Sequence, residues 1–365
     1  MIGIGGAFVI GAVTLVLSLL LPFAVRPWLF KLGIMDVPNE RSSHEKPVLR
    51  GLGLAVLIAM AVGGGAGALL PPLLGESYVS STLITVVLGS LAAGLLGLAE
   101  DLRGLSVRIR SLCLLLIACC VSTSMLWQPQ LFSEASGLAS PVILQWVSGW
   151  PTQSPLPLWG LILLAVYAIL FISSYINVAN FMDGLNGISG FHGVIAGLAF
   201  GAAGYLTGHG WLLLAGLVLA AGFGGFLPWN LTRPGAFLGD VGSYLLGGAV
   251  AITSFAALVS GVPFLATIGP MVIYFGDVGV TLVKRVRAGH KWDEPHKEHA
   301  YQRIQQLGYT HVQASLITAG CTALASLLGL ASLFTGLWGT LALLVGGLAV
   351  VVFYTLLPRL LPRRA

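Results

Sequence analysis

Residues 2–24 read IGIGGAFVIGAVTLVLSLLLPFA, more than twenty positions with no charged side chain and no basic residue ahead of them. At a rise of about 1.5 Å per residue, about 20 apolar residues cross the hydrocarbon core of a bilayer. The run is too long for a signal-peptide core and lacks the basic flank of one, so it is read as a helix that stays in the membrane. Comparable runs recur at 52–74, 82–98, 111–127, 158–176, 190–207, 211–228, 244–259, 263–283, 312–336 and 337–357, which makes eleven spans. Two of these boundaries divide single long apolar stretches, at Gly208-His209-Gly210 and at Gly336.

The whole chain agrees with that reading. Of its 365 residues 56% are hydrophobic and 8% are charged, where a soluble domain carries about 25% charged residues. A soluble fold cannot hide so much apolar surface. A soluble enzyme, a disordered tail, a secreted disulfide scaffold and a nucleic-acid-binding module are all excluded. The four cysteines, Cys113, Cys119, Cys120 and Cys321, lie in apolar runs and read as small buried hydrophobes rather than disulfides or metal ligands. No soluble domain and no internal repeat is found. The expectation is an all-α, polytopic membrane protein with a single domain over residues 1–365.

Charge supplies an internal check on the number of spans. If the eleven spans alternate in direction, every one of the 18 Lys and Arg residues falls on the same face. They follow the first, third, seventh, ninth and eleventh spans, and losing one span would scatter them. The positive-inside rule makes that face cytoplasmic, with the N-terminus outside and the C-terminus inside. The longest outer loop, about 128–157, holds one charged residue, Glu134, and its Trp146 and Trp150 suit an interfacial segment or a passive connector. Gly63-Gly64-Gly65-Ala66-Gly67 offers either close helix contact or a lipid-facing glycine surface.

Ten of the 13 carboxylates share the face of the cations; Glu76 and Glu134 lie outside, and Asp277 lies within the ninth span. A transporter more often buries its charges near the midplane. Charge kept at one interface suits chemistry between a soluble substrate and a lipid. Five segments make up that face. The first, Asp36 to Pro47, reads alone as an ordinary solvated loop. In the second, Glu100 and Asp101 end a helix with Arg103, Arg108 and Arg110 within two turns. Such a pair holds a metal, takes a proton, or is salt-bridged to arginine. The third, Asn177 to Gly187, sets Asn177, Asn180 and Asn186 with Asp183 between two spans. These are hard oxygen ligands, and amides can read a base edge; the bland reading is a capped turn. The fourth places Asp240 between glycines at a helix start, as a cap or a Mg²⁺ ligand beside a phosphate. The fifth centres on His296, Lys297, Glu298, His299 and Arg303. With no cysteine near and cations dense, it suits anion binding better than zinc; it also reads as a juxtamembrane stretch touching anionic lipid. Asp277 is either functional or salt-bridged to Lys284 or Arg285.

Together, in this order and on one face, the Asp-Val-Pro…Arg-Ser-Ser-His loop, Asn177–Gly187 and Phe237–Ser243 resemble the polyprenyl-phosphate N-acetylhexosamine-1-phosphate transferases. The likeness covers nearly the whole chain. It implies transfer of a sugar-1-phosphate from a UDP-N-acetylhexosamine to undecaprenyl phosphate in the bacterial inner membrane, with UMP released. It implies Mg²⁺ as cofactor, with Mn²⁺ as a substitute. It assigns Asp240 to the metal, and Asn180 beside the metal and diphosphate. Asn186 contacts the uracil, with Phe237 stacked on it. Asp101, and less firmly Glu100, faces the lipid phosphate, and Arg110 stands where the family usually has lysine. His296, Lys297, His299 and Arg303 match the histidine-rich loop that grips the diphosphate and sugar. The bilayer, the lipid and the nucleotide sugar are the implied partners, nucleic acid is not one, and a homodimer is compatible.

Departures narrow the branch. Glu100-Asp101 replaces two aspartates, and Arg50-Gly51-Leu52-Gly53 replaces a more usual paired glycine. The fifth segment lacks the triple-histidine run of the peptidoglycan branch, so it looks more like the branch that initiates O-antigen and related surface glycans. Donors there are N-acetylglucosamine or 6-deoxy-N-acetylhexosamines such as N-acetylfucosamine and N-acetylquinovosamine. Direct attack of the lipid phosphate, with Asp101 orienting it, is preferred over a phosphoryl-enzyme on Asp183 or Asp101. The alternatives are the UDP-N-acetylmuramoyl-pentapeptide enzyme and, from another class, a transporter or lipid flippase.

Overall fold

The computed structural model describes residues 3–36, 48–73, 80–126, 158–232, 235–290 and 296–364. Most of the first charged loop, the long connection with Trp146 and Trp150, and Arg233 fall outside the described residues.

Thirteen helices are described: α1 Ile4–Lys31, α2 Gly53–Leu73, α3 Ser81–Arg103, α4 Val107–Leu126, α5 Leu158–Met182, α6 Ile188–Thr207, α7 Gly210–Leu231, α8 Gly239–Val259, α9 Phe264–Ile268, α10 Val272–Arg287, α11 Ala300–Gln306, α12 His311–Ala331 and α13 Leu337–Leu360. With α9 and α10 taken together, eleven helical segments are long and apolar enough to cross a membrane. Both divisions of long apolar stretches stand. Gly208, at φ +74°, ends α6 in the left-handed region, which glycine enters without steric cost. The ninth span is not one helix. It breaks at Gly269-Pro270-Met271, a single 3₁₀ turn, because Pro270 has no N–H to continue the ladder. A two-residue antiparallel ladder, β1 Met35–Asp36 with β2 Val48–Leu49, is the one departure from all-α among the described residues.

Composition decides which helix sits where. The most apolar window of α8 is 100% buried and that of α13 only 22%. Small residues along α8 let α2, α3 and α5 pack closely around it. The outer helices turn Phe8, Phe23, Leu163, Trp338 and Val345 outwards, an apolar surface too extensive for water and suited to lipid. Their hydroxyls bond within the protein, as in Thr14 Oγ1 to Ile10 O at 2.8 Å, because hydrocarbon offers no partner. Gly63, Gly64 and Gly67 face Thr14, Val87 and Leu214, whereas Gly65 has open space. The stretch therefore serves close packing on most of its faces. Cys321 is buried, but Cys119 and Cys120 are exposed on α4. The expectation of buried cysteines is corrected there, since an apolar run in lipid does not need to be inside.

The polar segments meet at one end of the bundle. Phe237 N donates to Leu49 O at 2.8 Å, and Leu52 N donates to Phe237 O at 3.1 Å. Tyr301 OH reaches Phe181 O at 3.0 Å, and Ser315 Oγ reaches Asn186 O at 2.9 Å.

Candidate active site

The centre of that end is the first turn of α8. Gly239 enters it at φ +77°, and the Asp240 and Val241 amides then point outward without helical partners. Asp101, in the last turn of α3, takes both: Asp240 N to Oδ1 at 3.1 Å and Val241 N to Oδ2 at 2.8 Å. An acid from one helix thereby caps the N-terminus of another and complements its dipole. Close approach makes this geometry possible, because a Cβ on Gly97 would strike the Asp240 carbonyl.

Asp240 itself points toward the other segments. Asn180 Nδ2, near the end of α5, donates to its Oδ1 at 2.7 Å and to Ser243 Oγ at 2.9 Å. Arg50, from the end of the first loop, spans both acids: Nε lies 2.9 Å from Asp101 Oδ1 and NH2 2.7 Å from Asp240 Oδ2. The Asp101 side chain is 1% exposed and the Asp240 side chain 17% exposed. Only Asp240 thus keeps access for a ligand. Its hard oxygens fit Mg²⁺. Among the described residues no group of three or more His, Cys, Asp or Glu is placed to hold a metal ion.

Asp183 lies in the turn between α5 and α6 and accepts from Ser189 Oγ at 2.6 Å. Burial pushes its carboxyl up to about 7; the Ser189 hydroxyl pulls it down and the neighbouring Asp240 charge raises it. The same turn is pinned by Asn230, which accepts from Gly187 N and donates to Ala236 O at 2.9 Å. Asn186 sits against Gly235, its buried Oδ1 without a hydrogen-bond partner among the described residues. Phe237 is half-buried nearby in sequence. Asn177 turns back to Ser173 O at 2.9 Å on its own helix.

Glu100 and Arg110 form a separate clasp. Arg110 NH1 lies 3.3 Å from Glu100 Oε1, and Leu105 N donates to Glu100 Oε2 at 2.8 Å. These contacts fix the turn from α3 to α4. Below Arg110 a groove of about 560 Å³ runs between α4 and α5, lined by Leu114, Leu115, Tyr167, Leu170 and Phe171, with Ser111 and Asn177 also in its lining.

The fifth segment docks from the other side. Asp277 is buried and makes no pair with Lys284 or Arg285 among the described contacts; Arg285 pairs with Glu298 instead. Asp277 accepts from Ala300 N at 3.0 Å, His299 Nδ1 at 3.2 Å and Tyr354 OH at 2.8 Å. An intramembrane acid thus caps α11 and seats His299. The His296 and His299 rings are 4.8 Å apart. Burial, then the neighbouring His299 and Arg285, lowers His296 to about 4. Lys297 and Arg303 are half-buried on the same segment. Asp277→Ala strands several buried donors, and its expected cost is on the order of 2–3 kcal/mol of stability. Thermal unfolding in detergent checks it; an unchanged midpoint contradicts the anchoring role.

The chain matches the model of glycosyl transferase family 4 over residues 83–258. It is 30% identical over 362 residues to the decaprenyl-phosphate N-acetylglucosaminephosphotransferase of Mycobacterium tuberculosis (strain CDC 1551 / Oshkosh), covering 92% of this chain and 85% of that protein. It is 26% identical to the probable undecaprenyl-phosphate N-acetylglucosaminyl 1-phosphate transferase of Bacillus subtilis (strain 168), over 87% of this chain and 81% of the relative. A phospho-N-acetylmuramoyl-pentapeptide-transferase of Streptococcus pneumoniae (strain Hungary19A-6) matches at 35% over only 91 residues, 25% of this chain and 28% of that one. The chain belongs to glycosyl transferase family 4. It is a multi-pass membrane transferase of that family.

Sequence reasoning missed Arg50, Asn230 and Tyr301 as members of the site. Arg50 carried one visible signal, a lone cation directly before the glycines that open α2.

Proposed function

We propose that this protein transfers N-acetylhexosamine-1-phosphate from a UDP-sugar to a polyprenyl phosphate. The observation that carries this reading is Asp240, held between Asn180 and Arg50 near a lipid-facing groove. N-acetylglucosamine is the first donor to test, because it appears in the names of the relatives that match most of the chain. The muramoyl-pentapeptide transferase compared above covers 25% of this chain, against 92% for the N-acetylglucosamine relative. The charged face is cytoplasmic by the positive-inside rule, which gives the site access to UDP-sugars in a bacterial inner membrane. The lipid-linked product begins a surface glycan such as O-antigen.

In the reaction an oxygen of the lipid phosphate attacks the β-phosphorus of the donor. The bond from that phosphorus to the bridging oxygen breaks, and UMP leaves with that oxygen. Both substrates are anions, so catalysis is mainly positioning and charge stabilisation. Mg²⁺ at Asp240 would neutralise the diphosphate. Asn180 orients Asp240 and Ser243 through its amide. Asn186 and Phe237 meet the uracil, and His296, Lys297, His299 and Arg303 hold the diphosphate and sugar. Asp101, with both oxygens engaged, acts here by fixing α8 and Arg50. The groove takes the polyprenyl chain, with Arg110 and Glu100 at its head. Asp183 feels the Asp240 charge and is the group that would relay a proton or, in the rival two-step route, be phosphorylated.

The test is UMP release by purified protein with Mg²⁺ and polyprenyl phosphate across a panel of UDP-sugars. Release that requires both the lipid and one donor supports the reading; release that ignores the lipid removes it. The groove has its own check. Leu115→Trp, at a lining position that is 42% exposed, narrows it, so the KM for the lipid is expected to rise several-fold while that for the UDP-sugar stays level. Equal changes in both would take the lipid out of the groove.

A further inference from the structure

Arg50 is the cation that the sequence reading left unused. Its guanidinium joins two carboxylates from different helices, through NH2 to Asp240 Oδ2 at 2.7 Å and Nε to Asp101 Oδ1 at 2.9 Å. The side chain is 35% exposed, so it sits on the open side of both acids. A divalent ion at Asp240 would need the oxygen that Arg50 now contacts. It would also meet a like charge within a few ångströms.

We propose that Arg50 is an internal counter-ion of the Asp240 site. It competes with the divalent cation when no substrate is bound, and it turns to the donor's phosphates once the cation enters. This rests on the proposed function, and in particular on Asp240 as the metal ligand. Asp101 is the pivot of the exchange. Its contact with Nε holds the base of the guanidinium while NH2 leaves Asp240, and a planar fork with several N–H donors suits paired phosphate oxygens. Cation and nucleotide then bind cooperatively, because each removes a cost that the other would meet alone.

The test is Mn²⁺ binding, followed by electron paramagnetic resonance of the full-length protein in detergent, with and without UDP-N-acetylglucosamine. For Arg50→Gln without nucleotide, Mn²⁺ affinity is expected to rise about tenfold, as when a like charge is removed from a half-solvated site. Nucleotide then tightens Mn²⁺ less in the variant than in the wild type, although the variant turns over more slowly. Arg50→Lys keeps the charge but cannot fork between two acids. Its Mn²⁺ affinity should lie between the other two, and it serves if the glutamine variant does not fold. Affinity unchanged or weakened in Arg50→Gln overturns the proposal and leaves Arg50 as a brace between Asp101 and Asp240. Asp240→Asn separates the two levels. If it binds Mn²⁺ as tightly as the wild type, the metal assignment itself fails. If its binding is lost while Arg50→Gln shows no gain, only the counter-ion role fails.

Discussion

Asp240→Asn is expected to lower UMP release by about a thousandfold or more, the scale lost when a metal that stabilises charge in the transition state is removed. The amide still offers one oxygen to Asn180 in place of Oδ1. On the other side an NH₂ group replaces the carboxylate oxygen and faces the Arg50 guanidinium, donor against donor. The charge, the proposed metal ligand and one ion pair are lost together. The fold is expected to persist, because α8 is held by apolar packing along its whole length and Asp101 still caps its first turn. Helical circular dichroism and a monodisperse elution profile should match the wild type. Retained Mg²⁺-dependent turnover in this variant would remove Asp240 from the site.

Gly97→Ala, far smaller on paper, should be nearly as damaging. The added methyl would strike the Asp240 carbonyl oxygen and the Val241 amide nitrogen. Backbone cannot swing aside as a side chain can, so α3 and α8 must separate. Asp101 lies four residues beyond Gly97 on α3, and Asp240 is itself the residue struck on α8, so the geometry of both acids moves with the helices. Misplacement of catalytic groups by about 1 Å can cost on the order of a hundredfold in rate. Initial rates and thermal unfolding measured on the same preparation check this. A rate within twofold of the wild type would mean that the α3–α8 spacing does not set the site.

Why the two effects differ in visibility is also why the sequence was only partly legible. Spans are written in local composition, so all eleven were readable. The division at Gly208-His209-Gly210 was marked by a glycine that the left-handed turn requires. The break at Gly269-Pro270-Met271 was masked, because the residues on either side are as apolar as any helix. The segments carrying Asn180 and Asp240 stood out as amides and acids beside glycines, a local signal. Their pairing did not, since Asp101, Asn180 and Arg50 reach Asp240 across long sequence separations. Asp277 shows the same limit. Its solitary charge was visible at once, but its partners proved to be Ala300, His299 and Tyr354 rather than the nearby Lys284 and Arg285. Exposure in lipid was also hidden, as Cys119 and Cys120 show. An apolar run reads the same whether it faces protein or hydrocarbon.

The most direct test of the transfer itself is a double-label experiment. The donor carries ³²P in its β-phosphate and ¹⁴C in its sugar, and the acceptor is polyprenyl phosphate in detergent with Mg²⁺. If sugar and β-phosphate move as one unit, both labels enter the lipid fraction in equal amounts and unlabelled UMP remains in the water phase. Carbon label alone in the lipid, with labelled UDP released, would mean ordinary glycosyl transfer and contradict the account.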